Sequence, residues 1–208
     1  MHWKVEKQEG SKSTESGVLE SVEKIRSFDP ANMYNHIFDF PEQMARALNI
    51  GKSWKIDPKQ FLDIKNIVLM GMGGSAIGGD LARSFLNAKL EIPFHVCRHY
   101  KLPEFVDDET LVIASSYSGN TEETLSALDN ALDRKAMIAA ITTGGMMAEV
   151  CKLNDIPMAT LPGGMQPRAA LGFSFVPILM FLEKVKLIPA IANEITAAIE
   201  KLKIYRQE

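Results

Sequence analysis

Residues 67–79 have the sequence IVLMGMGGSAIGG, in which four apolar residues lead directly into a loop rich in glycine. The apolar run, 67–70, is typical of a strand that is covered on both faces of a parallel sheet. Glycine lets the loop turn tightly and approach an anion or another backbone closely. The stretch therefore predicts a strand, a loop at its carboxyl end and the start of a helix.

The alternation of strands and helices continues along the chain. Short runs rich in Val and Ile predict strands at 67–72, 94–99, 110–115, 137–142 and 157–161. Apolar residues at helical spacing predict helices at 75–87, 121–134, 145–153, 169–185 and 190–204. Helices between strands require parallel crossovers, so the predicted fold class is α/β, a three-layer α-β-α sandwich with a five-stranded parallel sheet.

Two helix starts are predicted upstream of the first strand. Asp29 followed by Pro30 is typical of a capped helix with proline in its first turn. The pair Phe40 and Pro41 predicts a break and the start of a second helix, which is expected to end at Gly51.

The predicted organisation is one domain with leading helices at 29–189. Residues 1–28 are expected to form a tail or a short helix, with apolar residues at helical spacing at Val18, Leu19, Val22 and Ile25.

The composition excludes several classes of protein. The chain has 208 residues, of which 46% are hydrophobic and 24% charged, which argues against intrinsic disorder. A net charge of −3 gives no basic surface for nucleic acid and no attraction to an anionic membrane. Cys97 and Cys151 stand alone, so no metal site is predicted. The first ten residues lack the apolar segment of a signal peptide, so a cytoplasmic location is expected.

The glycine loop allows a second interpretation. Gly71, Gly73 and Ala76 satisfy the G-x-G-x-x-G/A pattern of dinucleotide-binding proteins. That pattern needs an acidic residue at the end of the following strand, and none is present. Arg98 stands there and could suit a 2′-phosphate. The interpretation as an oxidoreductase is therefore weak, and no cofactor is predicted.

The helix after this loop has two unusual features. Gly78 and Gly79 lie near its start, where each costs about 1 kcal/mol against alanine. Such a cost indicates close approach by a ligand or another backbone, and packing between subunits is one possibility. The helix also carries an apolar stripe formed by Ile77, Leu81 and Phe85.

A second loop follows the third strand at 115–124, SSYSGNTEET. Ser116, Ser118 and Thr121 supply hydroxyl donors, and the loop contains no lysine or arginine. Hydroxyls and the positive end of a helix form a neutral cradle for a phosphate dianion. The alternative is an ordinary helix cap, with Asn120 as the capping residue and Glu123 completing a capping box.

A third loop follows the last strand at 162–168, PGGMQPR. Arg168 stands just before a long apolar helix, where a cation opposes the helix dipole. A purely structural role for Arg168 is therefore disfavoured. The residue is predicted to direct a fixed positive charge at an anion or a charged intermediate. A surface ion pair is the alternative.

Together these motifs resemble the sugar isomerase (SIS) domain, and more closely the bifunctional phosphoglucose/phosphomannose isomerases. The resemblance covers residue 29 to the C-terminus. It rests on the motifs at 32–34, 40–43, 71–80, 116–124 and 162–172.

The resemblance implies roles for individual residues. Ser116, Ser118 and Thr121 would bind the phosphate of a phosphorylated hexose. Arg168 would stabilise an enediolate. The loop against the sugar would be formed by Gly73, Gly74 and Ser75.

The resemblance also implies a partner and a reaction. Members interconvert aldose and ketose 6-phosphates through a cis-enediol, with no cofactor, in a homodimer. Their carboxylate base and ring-opening histidine belong to a second SIS half, so this chain is expected to lack the base. Residues 190–208 would begin a linker helix toward that absent second half. Local substitutes would be Glu122, Glu123, His95 and His99. The alternative function is a stand-alone SIS module that senses a sugar phosphate without catalysis.

Overall fold

A parallel sheet organises residues 21–207, the part of the chain that the structure, a computed structural model, describes. The sheet has five strands in the order β2-β1-β3-β4-β5, and every neighbouring pair is parallel. The strands are β1 (Asn66–Met70), β2 (Phe94–Cys97), β3 (Thr110–Ser116), β4 (Met137–Thr142) and β5 (Met158–Thr160). All five strands confirm sequence predictions to within a few residues.

Helices cover both faces of the sheet and confirm the three-layer α/β fold. The described helices are α1 (Val22–Ser27), α2 (Met33–Phe38), α3 (Phe40–Ser53), α4 (Gly73–Leu86), α5 (Glu122–Asp133), α6 (Gly145–Leu153), α7 (Leu171–Lys184) and α8 (Ala192–Tyr205). The helix predicted at 190–204 corresponds to α8, and its role as a linker stays a prediction. The division into domains stays a prediction.

The pleat of the strands divides the core into two layers. Alternate residues of a strand point to opposite faces. In β3, Leu111 and Ile113 belong to one cluster, whereas Val112 and Ala114 belong to the other. The first cluster contains residues of α3, α4, α7 and α8, and the second contains residues of α5 and α6. Every residue of β3 is buried, as its continuous apolar run predicts.

The strand order places the loops of interest side by side. The chain runs outward from β1 to β2, then returns across β1 to β3 and continues in the opposite direction to β4 and β5. Ligands of open parallel sheets bind beyond the carboxyl ends of the strands at such a reversal. The glycine loop follows β1 and the hydroxyl-rich loop follows β3, so both lie at this point.

The predicted helix start at Asp29 and Pro30 is wrong in position. The helix begins at Met33, after Asn32 in a left-handed conformation. Asp29 still acts as a cap, because its carboxylate accepts hydrogen bonds from the N–H groups of Met33 at 2.8 Å and Tyr34 at 2.7 Å. Helix α1 contains Val22 and Ile25 of the helical pattern predicted near the N-terminus. Val18 and Leu19 of that pattern lie outside the described residues.

The predicted end of α3 at Gly51 is also wrong. The helix continues to Ser53, so Gly51 is an interior residue rather than a terminating one. A Cβ atom at Gly51 would lie 2.5 Å from Cβ of Met180 on α7. The glycine serves helix–helix packing, which local sequence patterns do not reveal.

The apolar stripe of α4 does not face the core. Ile77, Leu81 and Phe85 are 41–47% exposed, and the helix buries its small residues instead. Gly78 packs against Ser174 of α7, where an added Cβ would lie 2.5 Å from the serine Cβ. The close approach that Gly78 predicts is therefore found between α4 and α7 of the same chain.

The described residues form neither a membrane-spanning helix nor a metal-binding cluster. Every helix between residues 21 and 207 is too short or too polar to span a bilayer. The same part of the chain contains no cluster of three or more His, Cys, Asp or Glu side chains that could hold a metal ion.

Candidate functional site

Direct contacts bring the three predicted loops together at the carboxyl edge of the sheet. The glycine loop meets the third loop at Gly74, where an added Cβ would lie 2.6 Å from the carbonyl oxygen of Pro167. The glycine loop meets the second loop at Ser75, whose Oγ accepts a hydrogen bond from the N–H of Tyr117 at 3.2 Å. The sequence predicted each loop separately, and the structure assembles them into one site.

The start of α4 offers free hydrogen-bond donors. The helix begins at Gly73, two residues earlier than predicted, with Met72 as an N-cap that gives no side-chain bond. Within residues 21–207, no group accepts from the N–H of Gly73 or Gly74. Gly73 is exposed, and nothing lies within 4 Å of the place where its Cβ would be. This helix start is therefore open to an anionic or polar ligand.

Hydroxyl groups line the second loop. Ser116 is buried at the end of β3, and its Oγ lies 3.0 Å from Oγ1 of Thr121. The Ser116 hydroxyl also accepts from the N–H of Gly119 at 3.1 Å, which closes the loop around it. Ser118 is exposed, and its Oγ accepts from the N–H of Asn120 at 3.2 Å. The three predicted phosphate-binding side chains thus belong to one tight turn.

The alternative interpretation of this loop as an ordinary cap of α5 is wrong in its details. Thr121, not Asn120, is the N-cap residue, and its side chain makes no capping bond. Oδ1 of Asn120 accepts instead from the N–H of Met146 at 2.9 Å, at the start of α6. The first N–H groups of α5 therefore lack a side-chain cap, a state that favours binding of an anion.

Tyr117 joins all of these loops, although its sequence context indicates no role for it. Its hydroxyl donates to the carbonyl of Pro162 at 2.8 Å and accepts from the N–H of Met165 at 3.3 Å. Its carbonyl accepts from the N–H and the hydroxyl of Thr143. Burial raises the pKa of the Tyr117 phenol, so the hydroxyl keeps its proton and acts as a donor.

Tyr117→Phe is expected to lower the free energy of unfolding by about 1–2 kcal/mol, because the buried hydroxyl's two partners lose their hydrogen bonds. Urea denaturation measures the change. Tyr100→Phe is the matched control, since Tyr100 is 48% exposed and its change should stay within about 0.5 kcal/mol. Equal losses in both variants would contradict the role of Tyr117.

Arg168 lies in a short 3-10 turn, Pro167–Ala169, immediately before α7. The side chain is exposed, and among residues 21–207 it forms no ion pair with an acidic side chain. The alternative prediction of a surface ion pair is therefore not found in this part of the chain. Arg98, the other candidate cation, pairs with Asp80 of α4, which accounts for it without a nucleotide phosphate.

The local candidates for a base lie at the edge of the site. Glu122 and Glu123 are in the first turn of α5, and their charges raise the pKa of Tyr100. His95 occupies the middle of β2, pairs in register with Val68 and packs edge-on against Phe105 at 6.1 Å between ring centroids. His95 therefore belongs to the edge strand of the sheet, and His99 is an exposed residue in the loop after β2.

Sequence reasoning also missed the loop after β4. A Cβ atom at Gly119 would lie 1.8 Å from the carbonyl oxygen of Gly144, and the Gly119 carbonyl accepts from the N–H of Met147 at 2.9 Å. The adjacent glycines at 144 and 145, placed directly after a strand, are the signal that could have revealed this support.

Two hollows differ in their relation to these loops. The larger, about 880 Å³, lies at the amino ends of the strands beside Trp54, Lys152 and Pro157, and contains none of the predicted site residues. A second hollow of about 580 Å³ lies between α2, α3 and the third loop at Gly163 and Gly164. Only the second borders the site.

Comparison with known proteins agrees with this geometry. The family model described as "SIS domain" matches residues 60–183, which is more than half of the chain. The chain therefore belongs to the SIS domain family.

Within that family, the chain is similar to bifunctional phosphoglucose/phosphomannose isomerases. It is 47% identical over 175 residues to the protein of this name from Caldicellulosiruptor bescii, which covers 84% of this chain and 51% of that protein. It is 47% identical over 114 residues to the one from Thermoplasma acidophilum, covering 55% of this chain and 34% of that protein. The chain thus spans about half the length, or less, of these curated relatives.

A solved structure agrees with the fold. The C-terminal domain of glucosamine-fructose-6-phosphate aminotransferase from Francisella tularensis superposes with a TM-score of 0.65 at 20% identity, over 84% of this chain and 54% of that chain. At this identity the likeness supports the architecture alone.

Proposed function

We propose that this chain binds a phosphorylated hexose as the SIS domain of an aldose–ketose isomerase that interconverts glucose 6-phosphate or mannose 6-phosphate with fructose 6-phosphate. The observation that carries the proposal is the convergence of Ser116, Ser118 and Thr121 with the uncapped start of α5. Hydroxyls and helix N–H groups bind a phosphate dianion without a lysine or arginine in the loop. The names of the relatives support the choice of sugar phosphate.

The remaining residues fit the two ends of such a substrate. With the phosphate in the hydroxyl loop, the sugar carbons extend toward Gly73, Gly74 and Ser75. In the reaction, a base removes the C2 proton of the open-chain aldose and a proton is returned to C1, while the O2 proton moves to O1. The intermediate carries negative charge on its oxygens, and Arg168 supplies a fixed positive charge to stabilise it.

The general base is proposed to come from outside the described residues. Glu122 and Glu123 belong to the first turn of α5, where a carboxylate also stabilises the helix dipole and needs no further role.

A homodimer and a cytoplasmic location remain predictions. Light scattering on the purified chain tests self-association, and a monodisperse monomer would contradict the homodimer.

Calorimetric titration with fructose 6-phosphate tests the binding proposal. We expect Ser116→Ala to weaken binding about 10–100-fold, because a hydrogen bond to a charged phosphate is lost. Ser126→Ala, farther along α5, is the matched control and should bind normally. A wild-type chain that fails to bind any hexose 6-phosphate at millimolar concentration would overturn the proposal.

A coupled assay of glucose 6-phosphate formation tests whether this chain contains a catalytic base. Binding without turnover agrees with a chain that lacks its base, or with the stand-alone sensing module. Turnover that disappears in Arg168→Ala would place a base within these residues, and Glu122, Glu123, His95 and His99 would be the next positions to substitute.

A further inference from the structure

Gln43 connects α3 to the turn that carries Arg168. Its side chain is only 4% exposed. The amide nitrogen Nε2 donates to the carbonyl of Ala169 at 2.8 Å, and Oε1 accepts from the N–H of Gly172 at 2.6 Å. Both ends of a buried amide are therefore used, across more than 120 residues of sequence.

The two partners of Gln43 lie just after the arginine in the chain. Ala169 ends the 3-10 turn that contains Arg168, and Gly172 is in the first turn of α7. The N-cap of α7, Ala170, offers no side-chain bond to the free N–H groups of the helix start. The amide of Gln43, far away in sequence, accepts from one of these N–H groups, that of Gly172, and holds the turn against α3.

The helix that carries Gln43 is itself anchored. Glu42, the residue before Gln43 in α3, forms a bidentate ion pair with Arg206, just after α8, at 2.5 and 2.7 Å. Arg206 also donates to the carbonyl of Phe38 at 3.0 Å. On its other side the turn of Arg168 packs on Gly74 of the glycine loop. The turn is thus held between the start of α4 and an anchored α3.

We propose that Gln43 is a positioning residue for Arg168, which fixes the arginine's backbone so that its charge meets the sugar end of the substrate. The proposal rests on the proposed function for its catalytic meaning. The claim that Gln43 holds the turn rests on the two hydrogen bonds alone.

The first test needs no ligand. Gln43→Met keeps the length of the side chain and removes both hydrogen bonds. We expect trypsin to cleave folded Gln43→Met after Arg168 about tenfold faster than the wild type, because the turn opens more often. Cleavage after Arg98, in the loop beyond β2, should keep its rate. Unchanged cleavage after Arg168 would overturn the proposal, whatever the protein binds.

The second test links the turn to the ligand. Arabinonate 5-phosphate is the probe, because its carboxylate resembles the charged oxygens of an enediolate. Gln43→Met should lower the affinity for this probe about tenfold, and the affinity for inorganic phosphate less than about twofold. In an Arg168→Ala background the Gln43 substitution should have little further effect, since neighbours acting together are not additive.

A control separates positioning from general loss of stability. Leu48→Val changes a buried residue of α3 that lies away from the turn, so it should lower the melting temperature but leave the ratio of the two affinities unchanged. Additive effects of Gln43→Met and Arg168→Ala would show that Gln43 does not act through the arginine. A wild-type chain that binds neither probe would count against the proposed function, and the trypsin experiment would still decide the role of Gln43.

Discussion

Gly119→Ala is expected to abolish phosphohexose binding and to lower the free energy of unfolding by at least about 3 kcal/mol. Gly119 has a φ of +71°, a backbone conformation that alanine adopts only with strain. The new Cβ would also lie 1.8 Å from the carbonyl oxygen of Gly144, so the loop after β4 would have to move.

The loss of binding follows from what Gly119 holds in place. Its N–H donates to Oγ of Ser116, and its carbonyl accepts from Met147 at the start of α6. Displacing the residue breaks the turn that brings Ser116 to Thr121. Urea denaturation and titration with fructose 6-phosphate measure the two effects.

Gly163→Ala is the matched control for this substitution. Gly163 has no neighbour within 4 Å of its added Cβ and no positive φ, so alanine should leave the stability within about 0.5 kcal/mol of the wild type. If Gly119→Ala bound fructose 6-phosphate with wild-type affinity, the turn at 116–121 would not be the phosphate site.

The central fold could be predicted from sequence because its signals are local. Strands such as β1 and β3 are continuous apolar runs between turn-forming residues, and a parallel sheet buries such runs on both faces. The crossover helices follow from their 3.6-residue period. The glycine and hydroxyl loops could be predicted because, in each, a cluster of glycines or hydroxyl residues directly follows an apolar strand.

The errors arose where a residue serves a distant partner. Gly51 resembles a helix terminator in sequence, yet its place is set by Met180 on α7. Asn120 resembles a cap for α5, yet its side chain serves α6. The spacing of Ile77 and Phe85 correctly predicts that α4 is a helix but not which face it buries, because contact with α7 requires the face with the smallest residues. Helical spacing cannot show which neighbour a face will meet.

The candidate site shows the same division. The hydroxyls of the second loop and Arg168 were predicted because they have recognisable chemistry at strand or helix ends. Tyr117 and Gln43 were not assigned roles, because an aromatic residue and an amide acquire theirs only from hydrogen bonds to remote backbone atoms. Such supporting residues become visible only when the loops are placed in contact.

Because α4 packs closely on α7, we also expect a large loss of stability in Gly78→Ala. In an ordinary helix interior this change gains up to about 1 kcal/mol from helix propensity. Here the added Cβ would meet Ser174 at 2.5 Å from its Cβ, 2.8 Å from its carbonyl carbon and 3.0 Å from its carbonyl oxygen. Because two of these atoms are backbone, the helices must separate, and we expect a net loss of about 2–3 kcal/mol.

Gly79→Ala is the control that isolates backbone contact, because the three atoms nearest to its added Cβ would all be side-chain atoms of Leu69, the closest a terminal methyl at 2.6 Å. A methyl group can shift more easily than a backbone, so this variant should lose less stability than Gly78→Ala. Separation of α4 from α7 would also displace Gly73 and Ser75 from the turn of Arg168, and fructose 6-phosphate binding should weaken in Gly78→Ala alone. If calorimetry and urea denaturation gave equal losses for both variants, close packing of the two backbones would not be what positions the glycine loop.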